Sequence, residues 1–168
     1  MSTINHSELD LREESVIRIN RVAKVNSRGK RFSFSTIVVI GDGRTHVGIG
    51  AGKANEVLVS INKAKDTAKQ NLIKVPVYNY TIPHEIIGKH GASRVLLKPA
   101  PPGTGIIAGS AVRLIMEQVG ISNIYTKVLG SNNPMNVAKA VMNALLNLQD
   151  IRKVAKKRGK TPKNLFEV

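Results

Sequence analysis

Two glycine-rich runs and a surplus of lysine and arginine are the parts of this sequence whose types and spacing suggest chemistry. Gly48–Lys53 ends in Gly52-Lys53, the pair that closes a phosphate-binding loop at the start of a helix. The pattern fails at both ends. Val47 stands where the first glycine is required, and Ala54 stands where a hydroxyl would hold magnesium. Gly103-Thr104-Gly105-Ile106-Ile107-Ala108 satisfies the glycine spacing of a dinucleotide fold and leads into a helical pattern. Such a site also needs an acid about 20 residues on to hold the ribose, and Ser122–Gly130 contains none. The run reads instead as a tight turn whose N–H groups can meet an anion or a neighbour's carbonyl.

Acid/base and metal chemistry fare no better. Between Glu14 and Gln149 the carboxylates stand ten or more residues apart, so no pair is set up for general acid/base work. The histidines (His6, His46, His84, His90) lack ligand spacing, and the absence of cysteine removes thiolate zinc sites and disulfides. The expectation is a chain with no catalytic residue, metal, cofactor or small-molecule substrate.

What remains is charge. Twenty-six Lys and Arg face eleven Asp and Glu, for a net +15 and a pI near 10.4. Charge of that size concerns partners rather than fold, and polyphosphate is its commonest counterpart. An anionic membrane surface is the other candidate. No apolar run approaches the roughly 18 residues of a spanning helix, and no signal-peptide pattern opens the chain, which reads as soluble and cytosolic. The acids are unevenly spread. Ser15–Gly41 has none, against Arg18, Arg21, Lys24, Arg28, Lys30 and Arg31. The stretch between Glu85 and Glu117 has none, and Ile151–Phe166 carries seven unopposed cations. Cations this dense repel one another unless a polyanion is present. Aromatics are only 4%, which favours phosphate and 2′-hydroxyl recognition of folded RNA over base stacking.

These side chains need elements to hold them. Val16–Val25 mixes apolar and basic residues at strand spacing, and Arg28-Gly29-Lys30 reads as a turn. Phe32, Phe34, Val38 and Ile40 alternate with Ser33 and Ser35, the period of a half-buried strand. Gly41-Asp42-Gly43 is a hairpin turn, Thr45–Ala51 a third strand, and Asn55 a candidate N-cap. Val57, Leu58, Ile61, Ala64, Ala68 and Leu72 then recur at helical spacing. Past a joint at Val75–Pro76, Tyr78–His84 and Ser93–Lys98 read as strands, Ala108–Val119 as a helix and Ile121–Leu129 as a strand. Asn133 caps a last helix with Pro134 at its first position, and Val137, Ala140, Val141, Ala144, Leu145 and Leu148 form its inner stripe. The expected fold is α+β: two small domains, β-β-β-α followed by a two-layer α/β unit, each a sheet with helices on one face.

Several segments, in order, resemble bacterial-type ribosomal protein five of the small subunit over residues 9–160. They are Asn20-Arg21-Val22, Phe32-Ser33-Phe34, Gly41-Asp42-Gly43, Gly50 with Gly52-Lys53-Ala54, and Gly103-Thr104-Gly105-Ile106-Ile107-Ala108-Gly109. Gly130-Ser131-Asn132-Asn133-Pro134 with Asn136 follows, then Lys157-Arg158-Gly159-Lys160. The resemblance implies a double-stranded-RNA-binding-like domain over 11–75 and an α/β domain with a left-handed βαβ crossover over 76–155. Residues 1–10 and 156–168 are expected as flexible arms. It implies a structural role at the body–head junction of the small subunit, in a cytoplasmic or organellar ribosome. The implied partners are small-subunit rRNA, ribosomal proteins four and eight, and mRNA near the entry channel. Expected rRNA contacts are Arg21, Lys24, Arg28, Lys30, Arg31, Lys53, Lys65, Lys69, Lys156, Lys157 and Arg158. Gly103, Thr104, Gly105 and Arg113 match positions that face protein four and bear on decoding accuracy. Two other readings compete: a free-standing duplex-RNA-binding module and a small-molecule kinase sharing the second domain's fold. The extra domain weighs against the first, and the incomplete phosphate loop against the second.

Overall fold

The computed structural model describes residues 9–160. Three strands, β1 (Ser15–Asn26), β2 (Gly29–Gly41) and β3 (His46–Ala54), pair antiparallel in sequence order, and the short β4 (Ile73–Lys74) joins the edge of β3. Helix α1 (Val57–Gln70) lies across β2 and β3. Its N-cap is Glu56, not Asn55, and no side chain caps it, because β3 stays paired to β2 through Ala54 and delays the turn by one residue.

The glycines of β3 explain how α1 sits. A Cβ on Gly48, Gly50 or Gly52 would overlap the backbone carbonyls of Ala68, Ala64 and Ser60 respectively. Two strand residues advance about 6.7 Å and four helical residues about 6.0 Å, so strand and helix stay in step over this length. The helix therefore rests its backbone directly on the strand. Its buried face is Ser60, Ala64 and Ala68, while Leu58, expected inward, is 75% exposed. Thr36 and Ser60 hydroxyls meet at 2.6 Å in this dry layer. Ser60 Oγ donates its proton to the Val57 carbonyl, so Thr36 is the donor of the pair.

The second sheet runs β5 (Ile86–His90), β6 (Ser93–Pro99), β8 (Ile124–Gly130) and β7 (Ile106–Ile107) in spatial order. β7 and β8 are parallel and joined through α2 (Ser110–Val119), which supplies a βαβ crossover. α3 (Pro134–Leu146) packs on β5 and β6, with Asn133 Oδ1 accepting from the Met135 N–H at 3.1 Å as its cap. Val137, Ala140, Val141, Ala144, Leu145 and Leu148 are all buried, as the spacing predicts. Tyr78–His84 is not a strand. Asn79 and Tyr80 adopt left-handed φ of 48° and 60°, and Tyr78 and Thr81 close a tight turn around them.

The N-terminal sheet is covered on both faces, against the expectation of one. Val38 and Ile40 face α1, whereas Val39 and Val47 enter the main core with Ile115, Met116 and Val119. Fully burying an aliphatic side chain contributes about 1.5–3 kcal/mol, so this shared layer ties the two units together. Gln118 completes the seam. Its Nε2 donates to the Glu13 carbonyl and to Ser15 Oγ, and its backbone oxygen accepts from Gly43 N–H at 2.9 Å.

α4 (Ile151–Lys157) buries Ala155 and carries helix past residue 155, where the expected tail begins. Its Asp150 side chain caps Arg152 N–H at 2.9 Å. Of the expected arms, residues 1–8 and 161–168 lie outside the described residues.

Candidate nucleic-acid interface

β3 pairs with β2 only as far as Phe34 opposite Ala54, yet β1 and β2 continue to Asn26 opposite Gly29. Beyond Phe34 the hairpin is a free two-stranded ribbon of five residue pairs, about 17 Å long at 3.4 Å per residue. Its pairing aligns the expected contacts. Lys24 lies opposite Arg31 on one face, Lys30 occupies the other with Arg21 at the ribbon's root opposite Phe34, and Arg28 stands in the two-residue tip. Every residue from Ala23 to Phe32 is exposed, Val25 to 70%. The Arg21 guanidinium lies 4.0 Å from the centroid of Phe32, which props it above the strand without engaging an acid. Cations on both faces and at the tip can grip phosphates on either side of the ribbon.

The remaining expected contacts divide. Lys53 is exposed on β3 and shares a groove with Lys63 beside the N-terminus of α1, whose first N–H groups no side chain caps. The Glu56 carboxylate lines the same groove and offsets part of that positive field. Lys65 is committed within the chain, its Nζ 2.6 Å from Glu14 Oε2. The Lys65 hydrogen bond is the main cause holding the Glu14 carboxyl below its usual range, with Lys69 adding to it. Those two lysines thus spend part of their field fastening the segment that leads into β1 to α1. Lys156 and Lys157 fill the last turn of α4, where cations suit the helix dipole, and Arg158 caps it. Lys157 and Arg158 line a cleft of about 720 Å³ with Lys153 and Lys74. Lys74 was invisible as a member of this set, since about 80 residues separate it from the others and only the fold joins them.

The glycine loop is self-satisfied. Gly103 N–H and Gly105 N–H both donate to Asn123 Oδ1, at 3.0 and 3.1 Å, and Thr104 Oγ1 donates to the Pro101 carbonyl. Its amides are therefore engaged internally, which removes the anion-binding option. Asn123, nine-tenths buried, is the residue sequence reasoning missed. Arg113, on the first turn of α2, reaches back to donate from Nη2 to the Ile106 carbonyl at 2.8 Å. Loop and arginine thus meet at the β7 edge. Two of the histidines serve locally: His46 Nδ1 lies 2.6 Å from Asp42 Oδ2, and His84 Nε2 accepts from Gln149 N–H.

A cationic ribbon on one α+β unit and a loop-edged second unit fused to it define a basic two-domain protein, and among the described residues no group of three or more His, Asp or Glu side chains is placed to hold a metal ion. Two family models match, "Ribosomal protein S5, N-terminal domain" over residues 12–76 and "Ribosomal protein S5, C-terminal domain" over 88–158. Small ribosomal subunit protein uS5 of Chloroflexus aurantiacus is 52% identical, over 98% of this chain and 92% of that protein. The uS5 proteins of Thermotoga maritima and Syntrophobacter fumaroxidans are each 52% identical, over 99% and 95% of this chain and 92% and 96% of their own length. The chain belongs to the ribosomal protein S5 family, whose members are ribosomal proteins and not enzymes.

Proposed function

We propose that the chain is a structural constituent of the small ribosomal subunit, in a cytoplasmic ribosome, that clamps rRNA at the junction of body and head. The observation that carries this is the β1–β2 ribbon, which projects Lys24, Arg28, Lys30 and Arg31 beyond the sheet, with Arg21 at its root and no acid among them. A two-stranded ribbon alone is marginal in water, so a bound polyanion gives it a reason to extend. Lys53 and the α4 cations Lys156, Lys157 and Arg158 extend the basic surface. In the same reading, Gly103–Gly105 and Arg113 at the β7 edge meet ribosomal protein four, and the chain touches ribosomal protein eight and borders the mRNA entry. Through the protein-four contact it supports accurate decoding.

The test is rRNA affinity as a function of salt. Changing Lys24, Arg28 and Lys30 together to Ala removes three exposed cations and no core contact. The slope of log affinity against log salt should flatten by up to roughly 0.7–0.9 per lost phosphate contact. An unchanged slope would rule the ribbon out as an RNA contact.

A further inference from the structure

Asn26 ends β1 beside the two-residue tip of the ribbon. It is exposed, and its side-chain amide makes no hydrogen bond among the described residues. Ser27 follows it, and the Ser27 N–H likewise donates to no described group. Neither Ser27 nor Arg28 takes a positive φ, so the tip is not one of the primed turns whose twist matches a two-stranded ribbon. Gly29 rejoins β2 at φ of 130°, and the Asn26–Gly29 pair alone closes the tip. Asn26 is also the one asparagine of the chain followed by glycine or serine, and serine has no branched or aromatic side chain to shield its own backbone nitrogen. Asn20, Asn123, Asn133 and Asn143 each spend their side-chain amide on a hydrogen bond. Asn79 and Asn132 are exposed but precede the larger Tyr80 and Asn133.

We propose that Asn26 is a modification site, where the free chain loses the side-chain amide through ring closure by the Ser27 nitrogen, and that a polyanion on the ribbon shields it. The Ser27 nitrogen gives its proton to hydroxide and bonds to Asn26 Cγ. The Cγ–Nδ2 bond then breaks, and Nδ2 leaves as ammonia with a proton from water. Water adds to one carbonyl of the five-membered imide. Opening at Cγ gives aspartate, and opening at the backbone carbonyl gives isoaspartate. Water is consumed and ammonia released, with no oxidant or reductant. Lys24, Arg28, Lys30 and Arg31 surround the tip, and no acid lies between Ser15 and Gly41. Their field favours both the amide anion that attacks and the carboxylate that results. Bound phosphates would cancel that field and hold the tip still, so both causes of the reaction fall away together. The product sets a negative charge among the cations, and isoaspartate adds an atom to the backbone of a turn only two residues long. Shielding rests on the reading of the ribbon as an RNA contact; ring closure in the free chain does not.

The full chain, free and within purified small subunits, is held in mildly alkaline buffer and sampled over time. Trypsin cuts after Lys24 and Arg28 and so releases Asn26 in one short peptide, whose mass and fragmentation report amide, aspartate and isoaspartate. In the free chain this peptide should convert ahead of every other that holds an asparagine, with isoaspartate among the products. Ser27→Val, which shields the attacking nitrogen, should slow conversion several-fold, and so should residence in the subunit. Asn26→Asp carries the product's charge and should flatten the salt slope of rRNA affinity by up to roughly 0.7–0.9. An Asn26 amide that outlasts those of Asn79 or Asn132, a rate indifferent to Ser27→Val, or conversion as fast in the subunit as in the free chain would each overturn the proposal. An unchanged salt slope in the triple Lys24, Arg28 and Lys30 variant would instead overturn the ribbon as an RNA contact.

Discussion

Asp42 offers a quantitative test of how the seam between the two units is held. Its Oδ1 accepts from the N–H groups of Arg44, Thr45 and His46, each at 2.8 Å, and its Oδ2 meets His46 Nδ1. Burial alone would raise this carboxyl's pKa, but the bonds from His46, Thr45 and Arg44 outweigh it and bring the pKa from 3.8 down to about 2. At about 1.4 kcal/mol per pKa unit, the ionised form contributes roughly 2 kcal/mol of stability. A group depressed on folding stabilises above its unfolded pKa and loses that contribution as pH falls through the folded one, here between about 4 and 2. Asp42→Ala also strips the turn's amides of their acceptor, and each orphaned donor that water cannot reach costs about 1–3 kcal/mol. The variant should therefore lose about 2–4 kcal/mol at neutral pH, a fall of roughly 6–12 °C in Tm for a chain of this size. Thermal melts of both proteins from pH 7 to pH 2 read this directly. The Tm gap should be widest above pH 4 and narrow below it. A gap that stays constant through that window would refute the electrostatic account, and no gap at all would refute the turn's role in the seam.

Three further outcomes are expected. Gly50→Ala, whose methyl would strike the backbone of α1, should cost at least the upper end of the roughly 1–3 kcal/mol of an overpacked core. Gly105→Ala, with open space but φ of +77°, should cost only about 1–2 kcal/mol, and denaturant titrations giving the reverse order would contradict the close-contact argument. Thr36→Val and Ser60→Ala together should be less damaging than the two effects added, with a coupling of about 0.5–1.5 kcal/mol in a double-mutant cycle. Additivity would mean the hydroxyl pair is not a unit. Arg113→Ala removes an exposed bond to Ile106 and should change stability by no more than about 1 kcal/mol, while raising stop-codon readthrough in cells that carry it as their only copy. Normal error rates at normal subunit abundance would detach this edge from decoding.

Where burial follows one period over a whole element, the sequence was legible. α3 is the clear case: five spaced apolar residues, with Leu148 just past its end, and an Asn-Pro start leave little choice. The basic ribbon was legible as charge but not as shape, because its projection depends on where β3 stops pairing. Legibility failed where tertiary contact overrode local pattern. Leu58 fits the apolar spacing, yet small residues face the sheet because the β3 glycines bring the two backbones together. Tyr78–His84 alternates like a strand, but two left-handed residues turn it, and the Tyr80 carbonyl then accepts from Ser122 and Asn123. The role of Asn123 spans 18 and 20 residues and leaves no periodic trace.

The seating of α1 on the β3 glycines limits which changes in chain length this domain can absorb. Deleting one residue between Ser60 and Ala64 would bring Lys65 into the place of Ala64 against Gly50, and Lys69 into the place of Ala68 against Gly48. Two lysines would then be pressed onto bare backbone with no room for either side chain. An insertion at the same point delivers Lys63 and Thr67 instead. The segment from Ser60 to Ala68 thus behaves as a keyed part of fixed length, and insertions or deletions can be accommodated only outside it.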